Sequence, residues 1–253
     1  MVAPFLGYED LHKRFGSKSV LRGVNLAVQE GETMVILGGS GTGKSVLLRH
    51  TIGLLQPDRG RVLVEGREIT GLSEDELRPV RKAIGMLFQG GALFDSMDVF
   101  ENVAYPLREH TELSEEAIES RVREKLGLVE LDVDVESLMP SDLSGGMRKR
   151  VALARCIALD PQAILYDEPT TGLDPITAHA INLMIRSLQQ TLRVTSVVVT
   201  HDIASAFEVG DRVAFLYEGE MVFVGSVEEA RRTTDARLGA FLRGGKGGEH
   251  AAV

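Results

Sequence analysis

The stretch TMVILGGSGTGKSVLLRH, residues 33–50, constrains the fold more than any other part of this chain. TMVIL is a short, continuous apolar run, which reads as a strand covered on both faces. It feeds GGSGTGKS, residues 38–45, which fits G-x-x-x-x-G-K-[ST], and a helix follows. Glycines permit positive φ and close approach, so successive amides can converge on phosphate oxygens. The helix beginning near Lys44 adds its positive dipole end. Gly38, Gly39, Ser40, Gly41, Thr42 and Gly43 therefore form the expected nucleotide cradle, continued by Lys44, Ser45 and Val46. Lys44 is expected to reach the β and γ phosphates, and Ser45 to ligate Mg²⁺.

The rest of the chain supports a parallel sheet. FLGYEDLHKRF and VLRGVNLAVQEGE read as strands, with a turn at Glu30-Gly31, and RVLVEGREI reads as another with a turn at Glu65-Gly66. Ser73 and Glu76 form a capping box for a helix over EDELRPVRKAI. From Gln89 to about Asp160 the spacing is helical, in MDVFENVAYPLREH and SEEAIESRVREKLGLV, and no strand is expected until AILYD at 163–167. Then come the helix PITAHAINLMIRSLQQTL, the strand TSVVVTH, the hairpin RVAFLYEGEMVFVG and a helix capped by Ser226. Strands alternating with helices predict an α/β core into which helices are inserted over about 90–160. The domain is expected over 1–240, with a flexible tail over 241–253.

Bulk properties narrow the partners. No window approaches the roughly 18 apolar residues of a membrane span, and the opening MVAPFLGYED lacks a basic-then-apolar signal. The net charge of −9 weighs against a sequence-independent nucleic-acid binder. Cys156 is the single cysteine, so no disulfide framework exists, and a reducing cytosol is expected.

Two further segments carry chemistry. AILYDEP places Asp167 and Glu168 at the carboxyl end of a buried strand, the edge at which open α/β sheets bind ligands. Asp167 is expected to hold Mg²⁺ and Glu168 to polarise an attacking water. In DLSGGMRKRVALARCIAL, Ser144 caps a helix while Gly145 and Gly146 bare its amides, which suits a γ-phosphate. Since residues 38–45 already cradle a nucleotide, the simplest geometry is a head-to-tail homodimer in which each serine-glycine turn closes over the other copy's nucleotide.

Residues 38–45, LSGGM at 143–147, ILYDEP at 164–169, GLDP at 172–175 and THD at 200–202 resemble the ordered motif set of ATP-binding cassette (ABC) ATPases. The resemblance covers about residues 5–230. It implies a P-loop NTPase core of RecA-like type, with an antiparallel β subdomain and an inserted helical subdomain, and ATP and Mg²⁺ as ligands. It further implies that Gln89 links Mg²⁺ and water to the insertion, that His201 contacts the γ-phosphate, and that Asp174 communicates across the dimer. Phe15 matches the aromatic that stacks on adenine, with Tyr8 as a competitor. Met147 stands where the family signature usually carries glutamine, so any hydrogen bond from that glutamine is lost. Glu168 and His201 are both present, as expected for a hydrolysing site.

The segment 81–111, with LMPSDLSGGM and GLDPITA, resembles the ATPase of Mla/MCE-type phospholipid transport systems. That likeness implies a polytopic permease, of the MlaE kind, docking near 90–108. It implies also a periplasmic MCE-domain lipid carrier and sometimes a STAS-domain regulator. The ATPase would then lie on the cytoplasmic face of the inner membrane, held there through the permease. Leu93, Phe94, Met97, Val99 and Phe100 are the candidates for the docking socket, shared with the core of the insertion. Three other readings stay open: the same machine for an amino acid or a drug, a cassette acting on ribosomes or DNA, and a nucleotide sensor without turnover.

Overall fold

Short apolar runs set the strands and amphipathic segments set the helices, as a computed structural model describing residues 4–244 shows. The chain begins with β1 (Leu6–Phe15) and β2 (Lys18–Val28), then β3 (Thr33–Leu37), all five residues of which are buried. After the glycine loop come α1 (Lys44–Thr51), β4 (Arg59–Val64) and β5 (Arg67–Glu68). The last two are joined by Glu65-Gly66, both at positive φ (50° and 74°), as a two-residue hairpin turn needs. Next are α2 (Glu74–Ala83), β6 (Ile84–Leu87), α3 (Val99–His110), α4 (Glu115–Leu128), α5 (Gly145–Cys156) and β7 (Ala163–Asp167). Then follow α6 (Pro175–Leu192), β8 (Thr195–Thr200) and α7 (Ile203–Val209). The chain finishes with β9 (Arg212–Tyr217), β10 (Glu220–Ser226), α8 (Val227–Arg231) and α9 (Ala236–Gly244).

The chain forms two units: residues up to Arg81 together with those from Thr195, and residues Lys82–Val194. In the first unit one sheet is antiparallel, in the order β2-β1-β4-β5. A second group of strands has the order β10-β9-β3-β8. There β3 lies parallel to both β8 and β9, and β10 pairs antiparallel with β9. Met34, Val35, Ile36 and Leu37 are fully buried, as are Leu47 and Leu48 of α1. Each such side chain contributes about 1.5–3 kcal/mol through apolar surface removed from water.

In the second unit β6 and β7 run parallel, from Ile84 opposite Ala163 to Leu87 opposite Tyr166. Helices α3, α4 and α5 pack on one another, and Val103, Leu107, Val122, Leu126, Val151 and Leu153 on them are all buried. This unit holds the expected helical insertion together with β6, β7 and α6.

One boundary differs from the sequence reading. The helix expected to run through Ile84 ends at Ala83, because Ile84 begins β6 and pairs with β7. Helix α9 runs to Gly244, into the stretch expected to be flexible from 241, with Phe241 buried and its ring 5.1 Å from that of Phe215. The remainder of that tail lies outside the described residues. Among the described residues no helix is long and apolar enough to cross a membrane.

Candidate functional site

In the first unit, β3 delivers the chain into the glycine loop. A Cβ at Gly38 would lie 2.5 Å from the carbonyl oxygen of Leu216, so only glycine lets the loop leave the sheet beside β9. Thr42 Oγ1 donates to Gly39 O at 2.9 Å and tightens the loop. Lys44 is buried inside it, its Nζ donating to the carbonyls of Gly38 and Gly39, both at 2.9 Å. Gly43, at φ 107°, caps α1 without any side-chain bond, and the helix starts at Lys44. A Cβ at Gly41 would meet nothing within 4 Å, and Ser40 and Gly41 are exposed. A cavity of about 510 Å³ adjoins them, lined also by Ser19, Val20 and Gly219. These features suit a polyphosphate: outward amides, a buried ammonium and free space above the glycines.

His201 follows β8 directly and is exposed. Because Leu37 pairs with Thr200, His201 and Gly38 leave adjacent parallel strands at the same carboxyl edge. Phe15 is 47% exposed, with Lys13 Nζ 5.7 Å from its ring centre, so its ring can receive a stacking partner. Tyr8 is buried and bonds Thr51 through its hydroxyl at 2.5 Å, which removes it as a stacking surface.

In the second unit, Asp167 ends β7 and Glu168 follows at φ 49°, a left-handed conformation that costs a non-glycine residue about 1–3 kcal/mol. Both carboxylates are buried. Thr171 steadies the turn: its amide donates to Glu168 O and its hydroxyl to Glu168 Oε2, both at 3.2 Å. Gln89 is exposed two residues beyond β6. Ser144 is the exposed cap of α5, accepting from the Met147 amide at 3.2 Å. Asp174 caps α6, accepting from the Ile176 and Thr177 amides at 3.0 Å each. A methyl on Gly146 would lie 2.7 Å from Thr177 Cγ2, so this glycine also lets the two helix starts approach.

The candidate metal ligands Ser45, Gln89 and Asp167 are a hydroxyl, an amide carbonyl and a carboxylate. This all-oxygen donor set fits Mg²⁺.

Sequence reasoning missed Lys149. Within the run Arg148, Lys149, Arg150 it reads as surface charge, yet it is buried, and its Nζ donates to the main-chain carbonyl of Gln89. Burial pulls its pKa below the ordinary lysine value, while the charges of Asp167 and Glu168 work in the other direction. The expected socket residues divide between core and surface. Val99 is wholly core, whereas Phe94 is 41% exposed and stacks at 4.9 Å on Tyr105, an exposed aromatic one helical turn beyond Glu101 that the sequence did not single out. Asn102, buried beneath, holds the Phe94–Asp98 segment through its side-chain amide.

A phosphate loop and an acid pair at strand ends, joined in one chain to a serine-capped glycine helix, define a nucleotide-binding cassette. Residues 21–171 match the family model described as ABC transporter, and the chain belongs to that family. It is 43% identical to the intermembrane phospholipid transport system ATP-binding protein MlaF of Haemophilus influenzae, covering 90% of this chain and 86% of that one. With MlaF of Escherichia coli K12 the identity is 42%, covering 96% and 90%. The probable ribonucleotide transport ATP-binding protein mkl of Mycobacterium tuberculosis is 44% identical over 92% of this chain. The chain spans only 65% of the length of that relative. Among solved structures, a dimeric ATP-binding cassette in a post-hydrolysis state with ADP and Pi superposes at TM-score 0.81 and 34% identity. The match covers 88% of this chain and 98% of that one.

Proposed function

We propose that this chain is the ATP-hydrolysing subunit of a transporter that moves phospholipid between membranes through a separate permease. Two observations, each within its own unit, carry the enzymatic half: a buried Lys44 inside a glycine loop, and a buried, turn-locked Glu168 at the end of β7. In this reading Lys44 and the amides of Gly39–Val46 bind the triphosphate, and Phe15 stacks on the adenine. Ser45, Asp167 and Gln89 hold Mg²⁺. MgATP, when bound, supplies the labile γ-phosphoryl bond and the metal that offsets its charge. Glu168 takes the proton from the attacking water, and His201 steadies the γ-phosphate side. Ser144, Gly145 and Gly146 act on the nucleotide of a second copy, with Met147 following them, and Asp174 relays the state of one site to the other. The chain works as a homodimer held at the membrane surface by its permease, which docks near 90–108, with an MCE-domain lipid carrier and a STAS-domain regulator as further partners.

The cargo is the finer half. The relatives' names point two ways, to phospholipid and to ribonucleotide, at nearly equal identity. The phospholipid reading is favoured because segment 81–111, with LMPSDLSGGM and GLDPITA, resembles the ATPase of phospholipid transport systems. Mass spectrometry of the purified ATPase–permease complex separates the two. Co-purifying phospholipid that turns over with ATP is expected; ribonucleotide uptake without lipid movement would overturn the assignment. Glu168→Gln tests the enzyme: phosphate release should fall about 10²–10⁴-fold, with an ATP-bound dimer accumulating. A variant that still turns over would show that Glu168 is not the base.

A further inference from the structure

The Gln89 segment and the signature helix meet at one ammonium group, on which the charges of the acid pair also act. Lys149 lies in the second turn of α5, near the helix's positive end, where the peptide dipoles disfavour a cation. It is only 6% exposed, so burial disfavours the charge as well. Its neighbours in the RKR run behave differently: Arg148 is exposed, and Arg150 is half-buried, donating to Val129 O at 2.9 Å and to Glu130 at 2.8 Å. The middle residue alone of the three is buried, and what it finds there offsets part of that cost. It donates to the Gln89 carbonyl, and Asp167 and Glu168 are the acids whose charge acts on it.

We propose that Lys149 is a positioning residue, fastening the Gln89 segment to the signature helix α5. The fastening stands on this chain's own contacts, whereas its meaning for turnover rests on the function proposed above. The Gln89 segment leads to the Phe94–Tyr105 face, and α5 is capped by Ser144. A displacement of that face would therefore be carried by one side chain to the helix that the signature serine caps. Methionine at 149 keeps the length and apolar stem but loses donor and charge, and arginine restores both.

The test uses the full-length chain without nucleotide. Amide hydrogen exchange over residues 88–94 should rise about tenfold in Lys149→Met, the loss of one charge-assisted hydrogen bond. Lys149→Arg should bring it back within about threefold of wild type, the two sharing a charged donor. Unchanged exchange in Lys149→Met, or a rise that arginine does not reverse, overturns the proposal. Should Lys149→Met fail to fold, the wild-type chain still decides. Lys149 should be acetylated far more slowly than the exposed Lys18, and equal rates would overturn the burial on which the argument stands. In ATPase assays Lys149→Met should lower kcat while leaving KM for ATP within about twofold, since the residue holds other groups rather than the nucleotide. If exchange responds as expected in a chain that hydrolyses no ATP, the fastening holds and the proposed function fails.

Discussion

Single atoms decide whether the two glycines of the signature can be replaced. Gly146 is usually valued for baring amides, but here its missing Cβ also makes room for the methyl of Thr177. Thr177 cannot simply rotate away, because its hydroxyl bonds Asp174 Oδ2 at 2.5 Å and its amide bonds Oδ1. Gly146→Ala should therefore destabilise the chain by about 1–3 kcal/mol, the range for inserting a methyl into a packed contact. Thr177→Ser removes the obstructing methyl and keeps the hydroxyl, so the double variant should recover most of that loss. Urea unfolding of the four proteins measures the coupling. Additive losses would mean that the Gly146–Thr177 contact is not what fixes the glycine.

At the scale of elements, α3 is organised by what its buried Asn102 holds. The Asn102 Nδ2 donates to the carbonyls of Phe94, Met97 and Asp98 at 3.2, 3.0 and 2.9 Å, and Oδ1 accepts from the Phe94 amide at 2.8 Å. Asn102→Ala should cost about 2–4 kcal/mol by stranding these groups. Asn102→Asp should cost more, since a carboxylate would face three carbonyls. Thermal unfolding ranks the two, and the reverse order would show that the amide donors matter little. Helix α9 carries a pH-dependent anchor of a different kind. Asp235 accepts from the Leu238 and Arg237 amides at 3.0 and 2.8 Å, and from the Arg237 guanidinium at 2.9 Å. The Arg237 bond, followed by the Leu238 amide, holds its carboxyl down at about 2, from an ordinary value of 3.8. Its stabilising effect is complete above about pH 4 and disappears as pH falls through 2. The Asp235 carboxyl carbon, followed by NMR, should titrate near 2; a midpoint near 4 would mean that the anchor does not form. These elements also show what a sequence can reveal. The strand β3, the loop 38–45 and the helix α6 are legible because each is specified locally, by an apolar run, by glycines or by a cap. The strand β6 is not, since Ile84 continues the apolar spacing of α2 and becomes a strand through pairing with Ala163, some eighty residues away. Asn102 and Lys149 are hidden for the same reason: a polar residue in a helix looks solvated until its distant partners are known.

For the whole molecule, charge and association oppose each other. The chain carries a net charge of −9, so two copies repel before any local contact forms. A bound nucleotide adds negative charge to each copy, while the anion-receiving helix starts that would close the dimer act only at short range. Screening should therefore favour assembly. The Debye length shrinks from about 30 Å at 0.01 M salt to about 10 Å at 0.1 M, which weakens the long-range repulsion far more than contacts made at hydrogen-bond distance. With Glu168→Gln holding ATP intact, the dimer dissociation constant measured by sedimentation should fall severalfold between these two salt concentrations. Lys44→Ala, which removes the ammonium from the loop, should remain monomeric at both. A dimer that loosens as salt rises would mean that opposite charges paired across the interface outweigh the net repulsion. A Lys44→Ala chain that dimerises with ATP as well as Glu168→Gln would mean that the nucleotide held by the glycine loop is not what joins the copies.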